Sequence, residues 1–259
     1  MDYLIFRLYG PMASWGEIAV GETRHTASYS GKSAIIGLLS AALGIKRDDL
    51  EKQQLMQQDY LIAVEVISQG ALLKDYHTAQ VPDSVGNFNY CTRRDELVIG
   101  KERLGTILSS REYRTDSFSL IAIKALPAAI HDLQSLKNFL HKPVFHLYLG
   151  RKSCPLSIPM DPQVIENKSN FYEAFRAYKH RPIMPTNKSS ESSISDRDSY
   201  WLMINKDRHY YWEGEADDFS DTLDLSRMQT RVRYDQPLSR IRWQFSTRQE
   251  HYFHFQGDE

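Results

Sequence analysis

YLIAVEVISQGALLKDY, residues Tyr60–Tyr76, is the stretch on which the fold turns. Its first part, Tyr60–Ile67, is a bounded apolar run and reads as a strand. Gly70 marks a turn, and Ala71–Tyr76 reads as a second strand directly after it. Toward the N-terminus, Ile35, Ile36, Leu38, Leu39, Ala42 and Leu43 recur at helical spacing over Lys32–Leu43. Ser30 or Ser33 offers an N-cap there, and Gly44 a C-terminal stop. Tyr3–Tyr9 precedes this helix as a strand, with Leu4, Phe6 and Leu8 on one face and Tyr3, Ile5, Arg7 and Tyr9 on the other. Toward the C-terminus, Thr78–Arg114 is polar, dotted with aromatics and poor in apolar periodicity. Strand character returns at Ser117–Ile123, a helix follows at His131–Leu140, and a strand at Val144–Leu149.

Setting the polar stretch aside, the order is close to β-α-β-β-α-β, with one strand to spare. That order belongs to an α+β, ferredoxin-like (RRM-like) body, a frequent RNA-binding scaffold. Residues 1–150 are therefore expected to form this body, and an elongated hairpin can project from residues 78–114. Residues 151–259 are expected to form a smaller β-rich region. Its strands fall at Ser199–Ile204, His209–Glu213 and Ser239–Phe245, with a serine-rich mobile loop over 186–198.

A chain of 259 residues with 41% apolar and 25% charged residues suits a globular protein. Two cysteines, Cys91 and Cys154, argue against a disulfide framework and fit a reducing cytoplasm. Asp2 and Arg7 break up the first apolar run, so it reads as neither a signal peptide nor a membrane span. No Cys/His set has zinc spacing, and no metal or cofactor is expected. A net charge of −1 excludes a protein that coats nucleic acid by charge alone. The charge is uneven, however. Six acids and no base lie between Glu213 and Asp224, while six arginines, opposed only by Asp235, lie between Arg227 and Arg248. The arginines of the last strand, Arg240 and Arg242, either meet RNA or pair with that acidic run, and the pairing is favoured.

Three segments carry candidate chemistry. SGKS at Ser30–Ser33 opens a helix, but Thr26 stands where a Walker motif needs glycine, which argues against an NTPase. Lys32 is then either a phosphate contact at a helix N-terminus or a solvated lysine. His77, beside Tyr76, is either a catalytic group of metal-free RNA cleavage or a structural or RNA-bonding histidine. In YLGRKSCPLSIP (Tyr148–Pro159), Gly150 frees the backbone at a strand end, and Arg151, Lys152, Ser153 and Cys154 follow it. Such a turn can press its amides on a phosphate, or be a plain surface turn.

At these residues the chain resembles the CasD family, the subunit of type I-E Cascade that binds the 5′ handle of the guide RNA (crRNA). The matching segments are GPMASWGE (Gly10–Glu17), ETRHT (Glu22–Thr26), SAIIGLLSAALGIKRDD (Ser33–Asp49) and DYHT (Asp75–Thr78). SREYRTDSFSLIAI (Ser110–Ile123), YLGRKSCPL (Tyr148–Leu156) and, more weakly, RWQFSTRQEHYF (Arg242–Phe253) complete the set. Between Pro159 and Tyr234 the chain departs from the family pattern and looks longer.

The resemblance implies a non-catalytic, RNA-binding subunit of an antiviral surveillance complex, with a β-hairpin thumb. Its implied partners are the crRNA 5′ handle, a repeated Cascade backbone subunit met through the thumb, and a large PAM-recognising subunit. Target DNA would be met only indirectly. Single-stranded RNA is read by stacking and by pockets for splayed bases. Tyr76, His77, Arg111 and Tyr113 can supply such groups, while Arg24 and the Arg151–Lys152 turn can grip phosphates. Relatives in type I-C cut the guide precursor, which keeps a metal-free endoribonuclease as the alternative.

Overall fold

The computed structural model describes residues 1–17, 19, 21–84, 86, 89–183, 196–202, 204, 206–239, 242 and 244–256. In chain order, β1 is Tyr3–Tyr9, β2 Thr23–Arg24, α1 Lys32–Leu43, α2 Leu50–Gln58, β3 Tyr60–Ser68 and β4 Ala71–Pro82. Next come α3 (Arg93–Leu97), β5 (Leu104–Thr115), β6 (Phe118–Ala125), α4 (Leu133–His141) and β7 (Gln163–Ile165). The chain closes with α5 (Phe171–Ala177), α6 (Asp196–Trp201), β8 (Arg208–Trp212), β9 (Gln229–Ser239) and β10 (Gln244–Phe255).

Seven of these strands make one antiparallel sheet in the order β7-β1-β6-β3-β8-β10-β9. All seven residues of β1 are buried, because both faces of the sheet are covered. Leu4, Phe6, Ile62, Val64, Ile121 and Ile123 point to one side, where α1 and α4 lay down Ile35, Ile36, Leu39, Leu136 and Leu140. Tyr3, Ile5, Leu120 and Ala122 point to the other, against Phe171 and Phe175 of α5 and against Phe219. A strand buried on both faces reads as a continuous apolar run rather than an alternation.

Three helix ends follow local rules, while the start of α1 has no side-chain cap from Ser30 or Ser33. Gly44 sits at φ +77 and turns its N–H back to the carbonyls of Ser40 and Ala41, closing α1. Asp132 caps α4 by accepting from Ser135 N–H at 2.6 Å, and Asn170 caps α5 by accepting from Glu173 N–H at 2.9 Å.

β4 and β5 form a long hairpin in register from Ala71↔Thr115 to Pro82↔Leu104, and β2 joins it in parallel to make a separate three-stranded sheet. The hairpin thus starts at Ala71, before the expected 78. The strand to spare, Ala71–Tyr76, is its lower arm and not part of the main sheet. Gly70 makes the bend at φ +63, where a Cβ would lie 1.9 Å from Thr115 O.

Several expectations are corrected. Val144–Leu149 is not a strand. The N–H groups of Val144 and Phe145 are taken by Ala42 O and Ala41 O at the end of α1, at 2.9 and 3.1 Å, so they cannot join a ladder. The edge beside β1 is instead the three-residue β7. Ser199–Ile204 is not a strand either: residues 196–201 form α6, and the buried Asp198 carboxylate accepts from Ile183 N–H at 2.8 Å. Ser239–Phe245 is the point where β9 gives way to β10, with Ser239 paired to Gln244. Arg240, Ile241 and Trp243 lie outside the described residues, as does most of the 186–198 loop. β8 pairs directly with β3, so the sheet runs without a break across the chain's two halves.

A carboxylate in the main sheet yields a pH signature. Glu65 on β3 is buried beside Tyr210 OH (3.3 Å) and Arg208 Nε (3.5 Å). Burial pushes its pKa up to about 6, with Arg208 opposing. The folded state therefore holds this proton more tightly than the unfolded chain, and stability falls as pH rises from about 4.5 through 6. Against wild type, Glu65→Gln should gain roughly 2 kcal/mol of relative stability between pH 4 and pH 7, measured by urea unfolding at each pH. A difference that stays flat across that window would refute the assignment.

Candidate nucleic-acid interface

The segment Gly10–Trp15 is the clasp that builds the site. Ala13 exchanges two backbone hydrogen bonds of 2.8 Å with Arg114 at the foot of the hairpin. Ser14 N–H donates to Leu149 O at 3.0 Å, and Trp15 N–H to Thr26 Oγ1 at 2.8 Å. Hairpin foot, 22–27 segment and 148–155 turn are thus held to one short piece of chain. The turn is closed internally by Leu149 N–H to Cys154 O and by Cys154 N–H to Arg151 O, both 2.8 Å.

Gly150 sits at φ +83, and a Cβ there would lie 1.8 Å from Ser14 O. A close backbone approach was expected at this glycine. It is made to the protein's own clasp. Arg151 lies over the ring of Tyr113, 5.0 Å from its centroid, and its Nη1 is buried without a hydrogen-bond partner. Lys152 and Ser153 are exposed, and Cys154 is fully buried. Burial pushes the Cys154 thiol up, which keeps it protonated.

The other expected contacts divide. Arg24 and Arg111 are exposed neighbours in the β2–β5 register, and Asp75 stands opposite Arg111. His77 is exposed and bonds Asp75 Oδ2 at 2.6 Å. Tyr76 is 61% exposed, but strand alternation sends it to the face opposite His77 and Arg111. Three residues are corrected. Tyr113 is buried with one face under Arg151, so it is not an open stacking platform. Cys154 cannot touch a ligand. Lys32 does not face solvent: its Nζ is 3.0 Å from Glu213 Oε2, and Asp235 Oδ2 accepts from its backbone N–H at 2.9 Å. The Asp235 carboxylate fills the place a phosphate would take at the start of α1.

Beside the turn runs a groove of about 580 Å³ that the sequence did not disclose. Its lining includes Gly37, Ser40 and Ala41 of α1, Phe145, His146, Leu147, Tyr148 and Gly150 from the segment beyond α4, and the exposed Lys46 and Arg47. The signal that points to it is Gly44, which ends α1 and is followed by the exposed Lys46 and Arg47.

Fold and site together describe an α+β protein whose large antiparallel sheet is covered on both faces, with an exposed, arginine-bearing hairpin foot at one end. The family model described as "CRISPR-associated protein (Cas_Cas5)" matches residues 3–250, and the chain belongs to that family. It is 36% identical over 167 residues to "CRISPR system Cascade subunit CasD" of Escherichia coli (strain K12), covering 61% of this chain and 69% of that one. A solved chain described as "CRISPR RNA-guided surveillance complex" shares the fold at TM-score 0.62 and 22% identity, over 97% of this chain and 89% of that one. Another, described as "Crystal structure of Cas protein", does so at 0.53 and 24%, over 96% and 94%.

The geometry of the turn separates three variants. Gly150→Ala should cost about 3 kcal/mol or more, since positive φ and the Ser14 carbonyl both resist a side chain. Arg151→Ala should cost about 1 kcal/mol by losing its place on Tyr113, and Lys152→Ala should stay within about 0.5 kcal/mol. Urea unfolding of the three measures the order, and a Gly150→Ala protein as stable as wild type would show that the clasp does not need the glycine.

Proposed function

We propose that the chain is the RNA-binding, non-catalytic subunit of a Cascade-type complex that holds the 5′ handle of the crRNA. The observation that carries this reading is its 36% identity to the Cascade subunit CasD. The site supports it physically. Arg24, Arg111, Lys152 and Ser153 are exposed around the hairpin foot. The half-buried Arg151 brings a spare donor, and His77 stands on the Arg111 face. Cations of this kind position a phosphate chain, while arginine planes and aromatics take splayed bases.

The hairpin β4–β5 is the surface that meets the backbone subunit. Leu72, Leu73, Tyr76, Ile107 and Leu108 are exposed on it, an apolar load that a protein partner would cover. The large PAM-recognising subunit contacts the body, and target DNA is met only through the assembly. β7-β1-β6-β3, antiparallel throughout with α1 and α4 on one face, has the neighbour order of a ferredoxin-like unit, which favours that reading of the body.

Two histidine–carboxylate pairs, His77–Asp75 at 2.6 Å and His25–Glu112 at 3.1 Å, favour the endoribonuclease alternative, since a carboxylate can orient a catalytic imidazole. His77 is exposed, and Tyr76 projects from the face opposite it, so within that strand Tyr76 does not converge on it.

Titration with labelled handle RNA against a scrambled RNA of equal length, alone and in the assembled complex, tests the proposal. Preference for the handle is expected, with Arg151→Ala weakening it by about 1–3 kcal/mol and Lys152→Ala mainly flattening its salt dependence. Incubation with precursor RNA without metal should give no cleavage. Equal affinity for both RNAs in complex and alone, or cuts that vanish in His77→Ala, would overturn it.

A further inference from the structure

At the root of the hairpin, where β3 gives way to β4, lies a hollow of about 440 Å³. Its lining draws on three parts of the chain: the bend around Gly70, Thr115 and Asp116 at the end of β5, and Trp201, Asp207 and His209 between the end of α6 and the start of β8. The third part lies within Pro159–Tyr234, where the chain departs from the family pattern. Ser68 ties the bend to α6, since its Oγ donates to Leu202 O and accepts from Gly70 N–H, both at 3.2 Å. Tyr9 OH donates to Asp116 Oδ1 at 3.1 Å and fixes that exposed carboxylate. The His209 ring stacks on His254 at 4.5 Å, and its Nδ1 pairs with Tyr252 OH at 2.9 Å. Burial and His254 hold its pKa below the ordinary value, so at pH 7 it adds no positive charge. Trp201 is 60% exposed, with the Tyr200 ring nearly perpendicular to it at 5.4 Å.

The hollow thus offers two carboxylates and an open indole, and no Lys or Arg is among the described residues that line it. Arg208, next to His209 in the chain, lies on the other face of the sheet beside Glu65. A lining of this sign repels phosphate, which sets the hollow apart from any RNA path. It attracts a cation, and the indole favours one that stacks on a ring. A guanidinium meets both demands, because it is flat and bonds a carboxylate through two N–H groups at once. The surroundings indicate the source of that guanidinium. Leu72 and Leu73, 53% and 44% exposed, follow the bend, and Tyr200 is 77% exposed beside Trp201. A charged socket flanked by exposed apolar groups has the composition of a protein–protein contact, in which arginine is a frequent anchor.

We propose that this hollow is a socket for an arginine of a protein partner: the guanidinium stacks on Trp201 and bonds Asp116, Asp207 adds negative potential, and Tyr200 and Leu72 or Leu73 cover the residues that flank the arginine. The inference deepens the reading of the chain as a subunit of a larger complex and rests on that reading for the partner. It also gives the departing segment a role, since α6 supplies the ring on which the cation lies.

The test has two arms. In the first, the full chain carrying 5-fluorotryptophan is titrated with the peptide acetyl-Leu-Arg-Leu-amide or with its citrulline counterpart, which keeps the shape and loses the charge. Fluorine NMR should show the Trp201 resonance, assigned through Trp201→Phe, shifting with the arginine peptide and far less with citrulline. Asp116→Asn keeps an oxygen for Tyr9 and tolerates the positive φ of that position, and it should weaken the response about tenfold. In the second arm, Trp201→Ala and Asp116→Asn chains are assembled with the other subunits. Both should associate at least about tenfold more weakly than wild type, with melting temperature and handle-RNA affinity unchanged. A Trp201 resonance that is silent, or that answers both peptides alike, refutes the socket, as do variants that assemble as wild type does. Variants that lose handle affinity instead place the hollow in the RNA site and overturn the proposal. If wild type shows no preference for handle RNA while Trp201 still selects the arginine peptide, the RNA-binding reading fails and the socket stands.

Discussion

The buried ionic cluster around Arg248 is the constraint on which the rest of the molecule hangs. Arg248 grips Asp235 with two nitrogens, at 2.6 and 2.9 Å, reaches Glu250 at 2.5 Å, and stands 3.5 Å from Glu213. Glu213 in turn holds Lys32, whose Nζ also donates to Tyr60 O at 3.3 Å. Burial raises the Glu213 pKa, with Lys32 and Arg248 opposing. Burial alone would lower the Arg248 pKa, but the Asp235 hydrogen bond and the surrounding carboxylates hold it above its ordinary value. Removing one member leaves an uncompensated buried charge, typically worth about 3–5 kcal/mol. Because its members come from α1, the end of β8 and the β9–β10 ribbon, the cluster welds the last strands of the chain to its first helix.

That weld decides where a ligand cannot go. The start of α1 looks like a phosphate site in sequence, and it is filled by the protein's own carboxylate. The sheet is no better placed, since α5 and the segment around Phe219 cover the face opposite α1. Arg7 helps to fasten that cover: it is 4% exposed, donates through Nε to Pro159 O at 3.0 Å, and bonds Arg181 O as well. Chemistry is left to the rim, where the clasp at Gly10–Trp15 gathers hairpin foot, glycine turn and groove.

The clasp also explains the glycines of the matching motifs. At Gly10 a Cβ would meet Leu149 Cδ1 and Pro155 O at 2.7 Å, and at Gly150 it would meet Ser14 O at 1.8 Å. The two glycines let the same pair of segments approach from both sides, so the turn's position depends on its partner more than on its own conformation. The arginines of the C-terminal run follow a similar rule. Arg233 and Arg248 bond acids, but mainly Asp235, Glu250 and Glu17, and only Glu213 from the acidic run.

What the sequence determined by itself is what short-range chemistry dictates. β1 and α1 take the ranges their patterns predict, and β3 runs one residue further, because side-chain periodicity and a glycine stop act within a few residues. Val144–Leu149 had equal local reason to be a strand, and lost it because the end of α1 takes its N–H groups. β7 is three residues long, too short for any periodicity to show. Exposed Arg24, Arg111 and Lys152 are also surface residues on sequence grounds, but Lys32, Tyr113 and Cys154 are not where an isolated motif puts them. Only the tertiary structure could decide these, since Lys32 meets its cap Asp235 across 203 positions of chain and Tyr113 meets Arg151 across another loop. The fate of a charge or a ring depends on which partner the fold brings up to it, and no local pattern encodes a neighbour that far away.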